Sequence, residues 1–299
     1  MFDTAPVLRC GDLSVKLDRT QVMGIVNVTP DSFSDGGRHD STEAAVAHGL
    51  RLVQEGAAML DIGGESTRPG ATPVGLEDEL ARVIPVIEAL RARVSVPISI
   101  DTFKPDVMRA AVAAGATLIN DIRALQAPGA LDAAARLKVP VVLMHMLGEP
   151  QTMQADPVYD DVVGEVHRFL AERIFACEMA GIDKKNIVVD PGFGFGKSLQ
   201  HNLQLLAGLR RFTELGVPVL AGLSRKGSIG EIIGKTVPAE RVHGSVAAHL
   251  IAAANGARIV RVHDVAATVD ALKVWEAVAS VPVPRDSHRA APEIIWPED

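Results

Sequence analysis

Aromatic side chains are scarce in this chain of 299 residues, since Phe, Trp and Tyr make up only 4% of it. The hydrophobic fraction is nevertheless 47%, so Ala, Val, Leu and Ile fill most of the core. Small aliphatic side chains are typical of helices packed on parallel strands, because such strands are buried on both faces. The composition therefore favours an α/β fold over a β-sandwich.

Cysteine is also rare: the chain has only Cys10 and Cys177, far apart in the sequence. Two distant cysteines exclude a disulfide framework and do not match the spacing of a metal site. No apolar run approaches the roughly 20 residues that span a bilayer, and residues 1–9 lack the pattern of a secretory signal. We expect a soluble, cytoplasmic protein without membrane contact, whose cysteines are small core residues.

Positive charge is not in excess, because the formal net charge is −7 and the pI is about 5.7. An acidic chain without Lys/Arg runs is a poor ligand for nucleic acid, so we expect no such partner. The histidines do not follow a zinc spacing, and no Ser-His-Asp arrangement stands out. These absences leave small molecules as the expected partners.

A strand–loop–helix pattern repeats from residue 22 onward. Alternating strands and helices imply a parallel sheet with right-handed crossovers. Eight units in one chain predict a closed (β/α)8 TIM barrel, with a doubly wound open sheet as the alternative. The predicted strands are Val22–Asn27, Met59–Gly63, Pro97–Asp101, Leu118–Asp121, Val141–His145, Ile187–Asp190, Val219–Leu223 and Ile259–Val262.

We predict one domain over residues 1–299, with the barrel at about 20–280 and a Pro-rich, charged tail at 281–299. Gly11 and Asp12, between apolar runs, predict a short hairpin that caps the bottom of the barrel. Apolar residues at three- and four-residue spacing predict helices with one buried stripe each. The stripes are Leu76, Leu80, Val83, Ile87 and Leu90; Leu199, Leu203, Leu206 and Leu209; and Val265, Val269, Leu272 and Trp275.

Polar residues gather where the predicted strands end. One such residue is usually a helix cap or a solvated turn. Eight strand ends together indicate an active site, which in TIM barrels lies at the C-terminal ends of the strands. The residues are Asn27, Asp61, Asp101, Asn120, Asp121, His145, Asp190, Ser224, Arg225, Lys226, Arg261 and His263.

Three glycine-rich loops follow the strands. Residues 28–37 and 64–71 are long enough to act as lids over an active site. Residues 190–198 are similar to a phosphate loop, but three residues separate Gly192 from Gly196 where that motif needs four. We expect these glycines to let the backbone approach a flat ligand beside Phe195.

Seven segments in this order resemble the dihydropteroate synthase family of pterin-binding enzymes. They cover nearly the whole barrel, and the first two are highly specific. The segments are GIVNVTPDSFSDGG (24–37), DIGGESTRPG (61–70), SIDT (99–102), INDI (119–122), DPG (190–192), SRK (224–226) and RVHDV (261–265).

The resemblance implies that a hydroxymethyl-dihydropterin diphosphate loses pyrophosphate to the amine of para-aminobenzoate, giving dihydropteroate. It also implies Mg²⁺ on Asn27, sulfonamides as inhibitors, and a homodimer formed through the last helices (Val237–Asn255 and Val265–Val278). The implied pterin residues are Asp101, Asn120, Ile122, Met144, Asp190, Phe195 and Lys226. Asn27, Arg68, Arg261 and His263 are implied for pyrophosphate; Phe33, Thr67, Pro69 and Gly227 for para-aminobenzoate; and Asp35, Arg68 and Lys226 for catalysis.

The residue types fit those roles. Carboxylates such as Asp101 and Asp190 accept hydrogen bonds from the N–H groups of a pterin edge, and the Asn120 amide can accept or donate. A leaving diphosphate needs positive charge held in place, which Arg261 and a helix N-terminus can supply. Asp35, on the first long loop, is placed to stabilise a carbocation-like centre on the pterin.

One position departs from the family, which commonly has Ser after Ser224-Arg225-Lys226. This chain has Gly227, so a hydroxyl near the carboxylate of para-aminobenzoate is missing. The alternatives are a pterin binder without turnover, a pterin-dependent methyltransferase that works with a corrinoid partner, and a barrel lyase or aldolase. For the last of these, Lys226 is the only candidate for a Schiff base.

Overall fold

Eight parallel strands form the centre of the protein. The structure, a computed structural model, describes residues 6–29, 38–66, 72–148, 153 and 157–282. A hairpin of β1 (Val7–Cys10) and β2 (Leu13–Lys16) precedes the central strands. The central strands are β3 (Gln21–Asn27), β4 (Met59–Gly63), β5 (Ile98–Asp101), β6 (Leu118–Asp121), β7 (Val141–Met144), β8 (Ile187–Asp190), β9 (Leu220–Ala221) and β10 (Ile259–Val262).

These strands close into a ring. Hydrogen-bonded neighbours run from β8 down to β3 and then through β10 to β9, and every pair is parallel. Val189 of β8 forms a parallel bridge with Val219, the residue before β9. The two ends of the sheet therefore meet, which confirms the predicted (β/α)8 barrel and excludes the open sheet.

Helices surround the ring and cover the outer faces of the strands. Within the described residues, no helix is long and apolar enough to span a membrane. The α-helices are α1 (Arg38–Gln54), α2 (Leu76–Arg91), α3 (Pro105–Ala113), α4 (Ala130–Leu137), α5 (Val162–Met179), α6 (Leu199–Ala207), α7 (Gly227–Ile233), α8 (Val242–Ala254) and α9 (Val265–Ala279). Short 3-10 helices cover Lys184–Asn186, Leu209–Leu215 and Pro238–Arg241.

Two helix predictions were wrong in detail. Leu203 is 40% exposed, and Leu209 belongs to a separate 3-10 helix. The inward position on α6 is taken by Asn202, whose side chain binds the backbone of Gly194 and Ser198. The helix predicted from Val237 begins only at Val242 as an α-helix, because Pro238–Arg241 forms a 3-10 turn with proline in its first turn. The stripes of α2 and α9 pack on the core as predicted.

The hairpin caps the bottom of the barrel, as predicted. Gly11 has a φ of +66°, a left-handed conformation that glycine adopts without steric cost. The hairpin side chains Leu8, Cys10, Val15 and Leu17 are buried in one apolar cluster. The strand residues of that cluster are Met23, Met59, Leu118, Val142, Val188, Leu220 and Ile259.

The barrel interior becomes polar two residues further along these strands. Successive strand side chains point to opposite faces, so residues two apart share the interior. Asp61, Asn120, Met144, Asp190 and Arg261 each follow an apolar bottom residue by two positions. The parallel register therefore brings these five side chains to one layer above an apolar floor.

We predict that Leu17→Ala lowers the free energy of unfolding by about 2–5 kcal/mol, because it leaves a cavity in the apolar floor. Substrate KM is expected to stay unchanged, since Leu17 lies below the polar layer. Chemical denaturation and steady-state kinetics measure the two effects. Val7→Ala is the control, because Val7 is 40% exposed on the same hairpin and its truncation leaves no cavity. Equal loss in both variants would contradict the role of the floor.

Candidate active site

A half-buried arginine connects three strands in the polar layer. Arg261 Nε donates to Asp61 Oδ2 at 2.5 Å, and Arg261 Nη2 donates to Asp101 Oδ2 at 2.7 Å. Asp61 is fully buried, and its Oδ2 also accepts from Asn120 Nδ2 at 3.0 Å. Burial alone would lower the pKa of Arg261, but the two carboxylates outweigh burial and raise that pKa. Arg261 is therefore a permanent positive charge inside the barrel.

Asp190, at the end of β8, and Lys226, in the turn between β9 and α7, lie near this arginine. Burial raises the pKa of Asp190 to about 6, although the backbone N–H of Gly192 and the charge of Lys226 both lower it. Lys226 Nζ lies 4.1 Å from the ring centroid of Phe195. Burial, and next the charge of Arg261, lower the pKa of Lys226 to about 8, against the attraction of Asp190. Acceptors and cations thus share one buried site.

Apolar side chains form one wall of this site. Ile122, Met144 and Phe195 belong to one buried cluster, together with Met153, and Phe103 packs against it. A cavity of about 280 Å³ lies beside Ile122 and Met144, and its other lining residues include Arg123, Gln126 and Phe169 rather than residues of the polar layer. Ile122, Met144 and Phe195, which the family resemblance implies for the pterin ring, therefore lie together, and their role in binding the ring stays a prediction.

His263 lies in the turn after β10, where its surroundings disfavour the charged form of the imidazole. Burial, and then the charges of Arg261 and Arg225, lower the pKa of His263 to about 3. Its Nδ1 lies 2.9 Å from Ser224 Oγ, which also accepts from the His263 backbone N–H at 3.1 Å. In its neutral form His263 can give a hydrogen bond to an anion, and its role at the diphosphate stays a prediction.

Asn27 ends β3 at the same rim as Asp101. A Cβ at Gly63, between the two strands, would lie 3.8 Å from Asn27 Oδ1 and 3.6 Å from Asp101 Cβ. Within the described part of the chain, no group of three or more His, Cys, Asp and Glu residues could hold a metal ion. A metal at Asn27 would therefore need oxygen ligands from a substrate and from water, which suits Mg²⁺.

Comparison with known proteins assigns the family. The sequence model described as pterin binding enzyme matches residues 23–263. Dihydropteroate synthase of Escherichia coli strain K12 is 54% identical over 267 residues, which are 89% of this chain and 94% of that protein. The chain belongs to the dihydropteroate synthase family. This membership argues against the methyltransferase and aldolase alternatives.

Solved structures of the dihydropteroate synthase family share the fold. The Xanthomonas albilineans enzyme with 4-aminobenzoic acid has a TM-score of 0.90 at 69% identity, covering 93% of this chain and 100% of that chain. The same enzyme in complex with 7,8-dihydropteroate has a TM-score of 0.86 at 66% identity, with the same coverage. The Yersinia pestis enzyme with a sulfonamide drug has a TM-score of 0.88 at 51% identity, covering 92% and 100%.

Five residues that the family resemblance implies lie outside the described residues: Phe33, Asp35, Thr67, Arg68 and Pro69. Their roles stay predictions. The second long loop is nevertheless anchored at its described ends, since Glu65 Oε1 accepts from the backbone N–H of Val74 at 3.2 Å. Glu65 Oε2 accepts from Lys104 Nζ at 2.5 Å, and Lys104 also binds the buried Glu79 at 2.5 Å. Sequence reasoning missed this anchor.

Two glycines after β8 lie where neighbouring loops come into close contact. A Cβ at Gly192 would overlap the carbonyl oxygen of His145, and a Cβ at Gly196 would overlap that of Leu147. Both glycines also have positive φ. They are needed because two neighbouring loops pack backbone on backbone here, a role that the sequence did not suggest. A Cβ at Gly194 would instead lie 3.1 Å from Lys226 Cδ, and the approach of this loop to a ligand stays a prediction.

Lys197 joins those two loops, and sequence reasoning missed it as well. It is almost fully buried, and its Nζ donates to the carbonyl oxygen of Phe195 at 2.9 Å and lies 2.9 Å from His145 Nδ1. Burial lowers the pKa of Lys197 to about 7. The Gly-Lys pair was the only signal, and it was read as part of an imperfect phosphate loop.

Asp121 turns away from the site, although it follows Asn120 at the rim. Its carboxylate accepts from the backbone N–H groups of Arg123 at 2.7 Å and Leu125 at 3.0 Å. Ala124 and Leu125 have φ values of 50° and 59°, so the carboxylate holds an unfavourable turn. Asp121 is a structural residue that fixes the loop behind Ile122.

The raised pKa of Asp190 predicts a pH dependence of pterin affinity. As pH falls below about 6, Asp190 gains a proton and loses its anionic acceptor. We expect the affinity for a pterin without diphosphate to fall about tenfold between pH 8 and pH 5. Calorimetry across this range measures it, and Asp190→Asn is expected to bind no pterin at pH 8 while keeping its circular dichroism spectrum. Constant affinity from pH 8 to pH 5 would contradict the assignment of Asp190.

Proposed function

We propose that the protein joins 6-hydroxymethyl-7,8-dihydropterin diphosphate to para-aminobenzoate and releases pyrophosphate, forming 7,8-dihydropteroate. One observation carries the proposal: acceptors for a pterin edge and cations for a leaving diphosphate occupy one layer of the barrel, at Asp190, Asn120 and Arg261. The reaction class is that of the curated relatives, which are named as dihydropteroate synthases. The enzyme is therefore a transferase of folate synthesis.

The polar layer binds the pterin ring. Asp190 and Asp101 accept hydrogen bonds from ring N–H groups, and Lys226 donates to a ring oxygen or nitrogen. The amide nitrogen of Asn120 donates to Asp61, so the amide oxygen of Asn120 is left as an acceptor for the ligand. Ile122, Met144 and Phe195 form the apolar wall against which the flat ring packs.

Charge stabilises the departing diphosphate. The carbon–oxygen bond breaks, its electron pair leaves on pyrophosphate, and the amine nitrogen forms the new carbon–nitrogen bond and loses a proton. Arg261 and the N–H of His263 face the leaving group, and Arg68 is proposed to join them. One unit-charge contact at about 4 Å gives about 4 kcal/mol at an effective dielectric of about 20, a large share of a typical barrier reduction.

Mg²⁺ is proposed as the cofactor. Asn27 Oδ1 would hold it together with diphosphate oxygens and water, because Mg²⁺ takes few protein ligands and keeps several waters. When bound, the ion neutralises charge on the leaving group. Asn27 itself orients the diphosphate towards the cations of the rim.

The second substrate is proposed to bind above the pterin. Phe33, Thr67 and Pro69 would line a slot for para-aminobenzoate, Gly227 would lie near its carboxylate, and Asp35 would stabilise positive charge on the pterin carbon. Sulfonamides would occupy the same slot, as their presence on the Yersinia pestis relative suggests.

A homodimer through α8 and α9 is part of the proposal. Ile251 is 49% exposed, Val274 is 66% exposed and Val278 is 70% exposed, so both helices present apolar side chains at the surface. Apolar surface of this kind marks contact sites. A cytoplasmic location is also proposed, since Cys10 and Cys177 are free thiols.

A pyrophosphate-release assay with pterin diphosphate and para-aminobenzoate tests the function. We expect stoichiometric pyrophosphate and 7,8-dihydropteroate, the second detected by mass spectrometry. The control omits para-aminobenzoate. Tight pterin binding without any turnover would favour the alternative of a pterin binder without catalysis.

Metal removal is expected to suppress turnover. Treatment with EDTA should lower kcat, because the diphosphate loses the positive charge that balances it. Added Mg²⁺ should restore kcat by returning that charge. Asn27→Ala is expected to need a higher Mg²⁺ concentration for half-maximal activity. Full activity in metal-free buffer would overturn the roles of both Mg²⁺ and Asn27.

Gly227→Ser is expected to strengthen the binding of para-aminobenzoate and of a sulfonamide. No atom lies within 4 Å of a Cβ at Gly227, so the serine fits without strain and restores the hydroxyl that the family commonly has. One hydrogen bond to a charged group, of about 1.5–3 kcal/mol, corresponds to roughly a tenfold or greater decrease in KM and Ki. No change in either constant would show that the position is indifferent.

A further inference from the structure

The turn between β9 and α7 holds Arg225 in an unusual backbone conformation. Arg225 has a φ of 56°, in the left-handed region that residues with a Cβ rarely adopt. Residues persist in this region only when their surroundings hold them there, and such residues concentrate at functional sites. The next residue is Lys226, which lies over Phe195 in the polar layer.

Three other residues hold this turn. The backbone N–H of Arg225 donates to Ser245 Oγ at 2.9 Å, and its carbonyl oxygen accepts from Arg241 Nη1 at 3.0 Å. The guanidinium of Arg225 donates to Asp264 through Nε at 3.0 Å and Nη2 at 2.5 Å. This two-point contact fixes the orientation of both side chains.

Asp264 makes this contact and does not cap its helix. It occupies the N-cap of α9, where an aspartate usually accepts from a backbone N–H of the first helical turn. Here its side chain makes no capping hydrogen bond and binds Arg225 instead. The pair is mostly shielded from water, since the side chains of Arg225 and Asp264 are 30% and 16% exposed.

The pair connects two turns that both carry proposed active-site residues. Lys226 follows Arg225, and His263 precedes Asp264. A second link runs in parallel, because Ser224 Oγ accepts from the backbone N–H of His263. The described side-chain contacts of Arg225 and Asp264 are to each other, so any effect on a ligand would pass through Lys226 and His263.

We propose that Arg225 and Asp264 are a positioning pair, which sets Lys226 on the pterin side relative to His263 on the diphosphate side. The proposal rests on the reaction proposed above. Without the ion pair, the turn relaxes towards negative φ, and the Lys226 amine moves away from the pterin edge. A small misplacement of a binding group can cost one to two orders of magnitude in rate.

Three variants separate the effect of the backbone conformation at Arg225 from the effect of the ion pair. Asp264→Asn keeps the size of the side chain and removes the charge. Arg225→Ala removes the pair and keeps the cost of positive φ, whereas Arg225→Gly removes the pair and accepts positive φ freely. We expect kcat/KM for pterin diphosphate to fall on the order of tenfold in Asp264→Asn and Arg225→Ala, and less in Arg225→Gly. In Arg225→Ala/Asp264→Asn the losses should not multiply, because the two residues act as one unit.

Asp12→Asn is the matched control. Asp12 also accepts two hydrogen bonds from one arginine, Arg91 Nη2, but it lies on the hairpin at the other end of the barrel. We expect its kcat/KM to stay within about twofold of the wild type, and thermal unfolding of all variants identifies any loss of fold.

The proposal is overturned if Arg225→Ala and Asp264→Asn have lower Tm values but wild-type kcat/KM, because the pair would then be only structural. It is also overturned if the losses multiply in the double variant. Wild-type protein without turnover would instead refute the proposed reaction. In that case binding of a pterin without diphosphate tests whether the pair positions Lys226. We expect its Kd to rise more in Arg225→Ala than in Arg225→Gly.

Discussion

The buried contact of Arg261 with Asp61 and Asp101 is the constraint on which the site depends. Burying a charge without a partner is costly, and removing one partner of a buried pair leaves the other uncompensated. The barrel meets this constraint because β10, β4 and β5 bring the three side chains into direct contact. Asn120 also contacts Asp61, so one carboxylate orients both a proposed pterin ligand and the arginine.

The rest of the barrel supports this layer. Below it, the hairpin and seven strand residues form a buried apolar floor. Above it, backbone contacts at Gly192 and Gly196 fix the loops that carry Phe195. In such a site, charges interact more strongly than in water, so a few well-placed groups can do much of the chemistry.

Much of this arrangement could be predicted from the sequence, because strands in a parallel barrel are short apolar runs that end in polar residues. Four strand predictions matched at both ends, including Met59–Gly63 and Ile259–Val262. Resemblance to the family supplied the roles of the ligand-binding residues. Geometry within the described residues is consistent with those roles at Asn120, Asp190 and Lys226, whereas the loop residues stay predictions.

What could not be predicted depends on side-chain direction. The sequence placed both Asp121 and Asp61 at the rim. In the structure, Asp121 binds the backbone of its own loop, whereas Asp61 binds Arg261. Leu203 fitted a helical stripe, but a polar contact of Asn202 took the inward place. Asp264 occupies the N-cap of α9, yet its carboxylate binds Arg225 and not the helix backbone. The partners of Asp61 and Asp264 are distant in the sequence, and local periodicity reveals neither of them.

The central claim is that pterin acceptors and the diphosphate cation occupy one layer of the barrel. A crystal structure of the protein with a pterin and pyrophosphate bound tests it most directly. The account predicts hydrogen bonds from the ring edge to Asp190 and Asn120, with pyrophosphate oxygens within hydrogen-bonding distance of Arg261. Pyrophosphate bound away from Arg261, or a ring that does not reach Asp190, would contradict it.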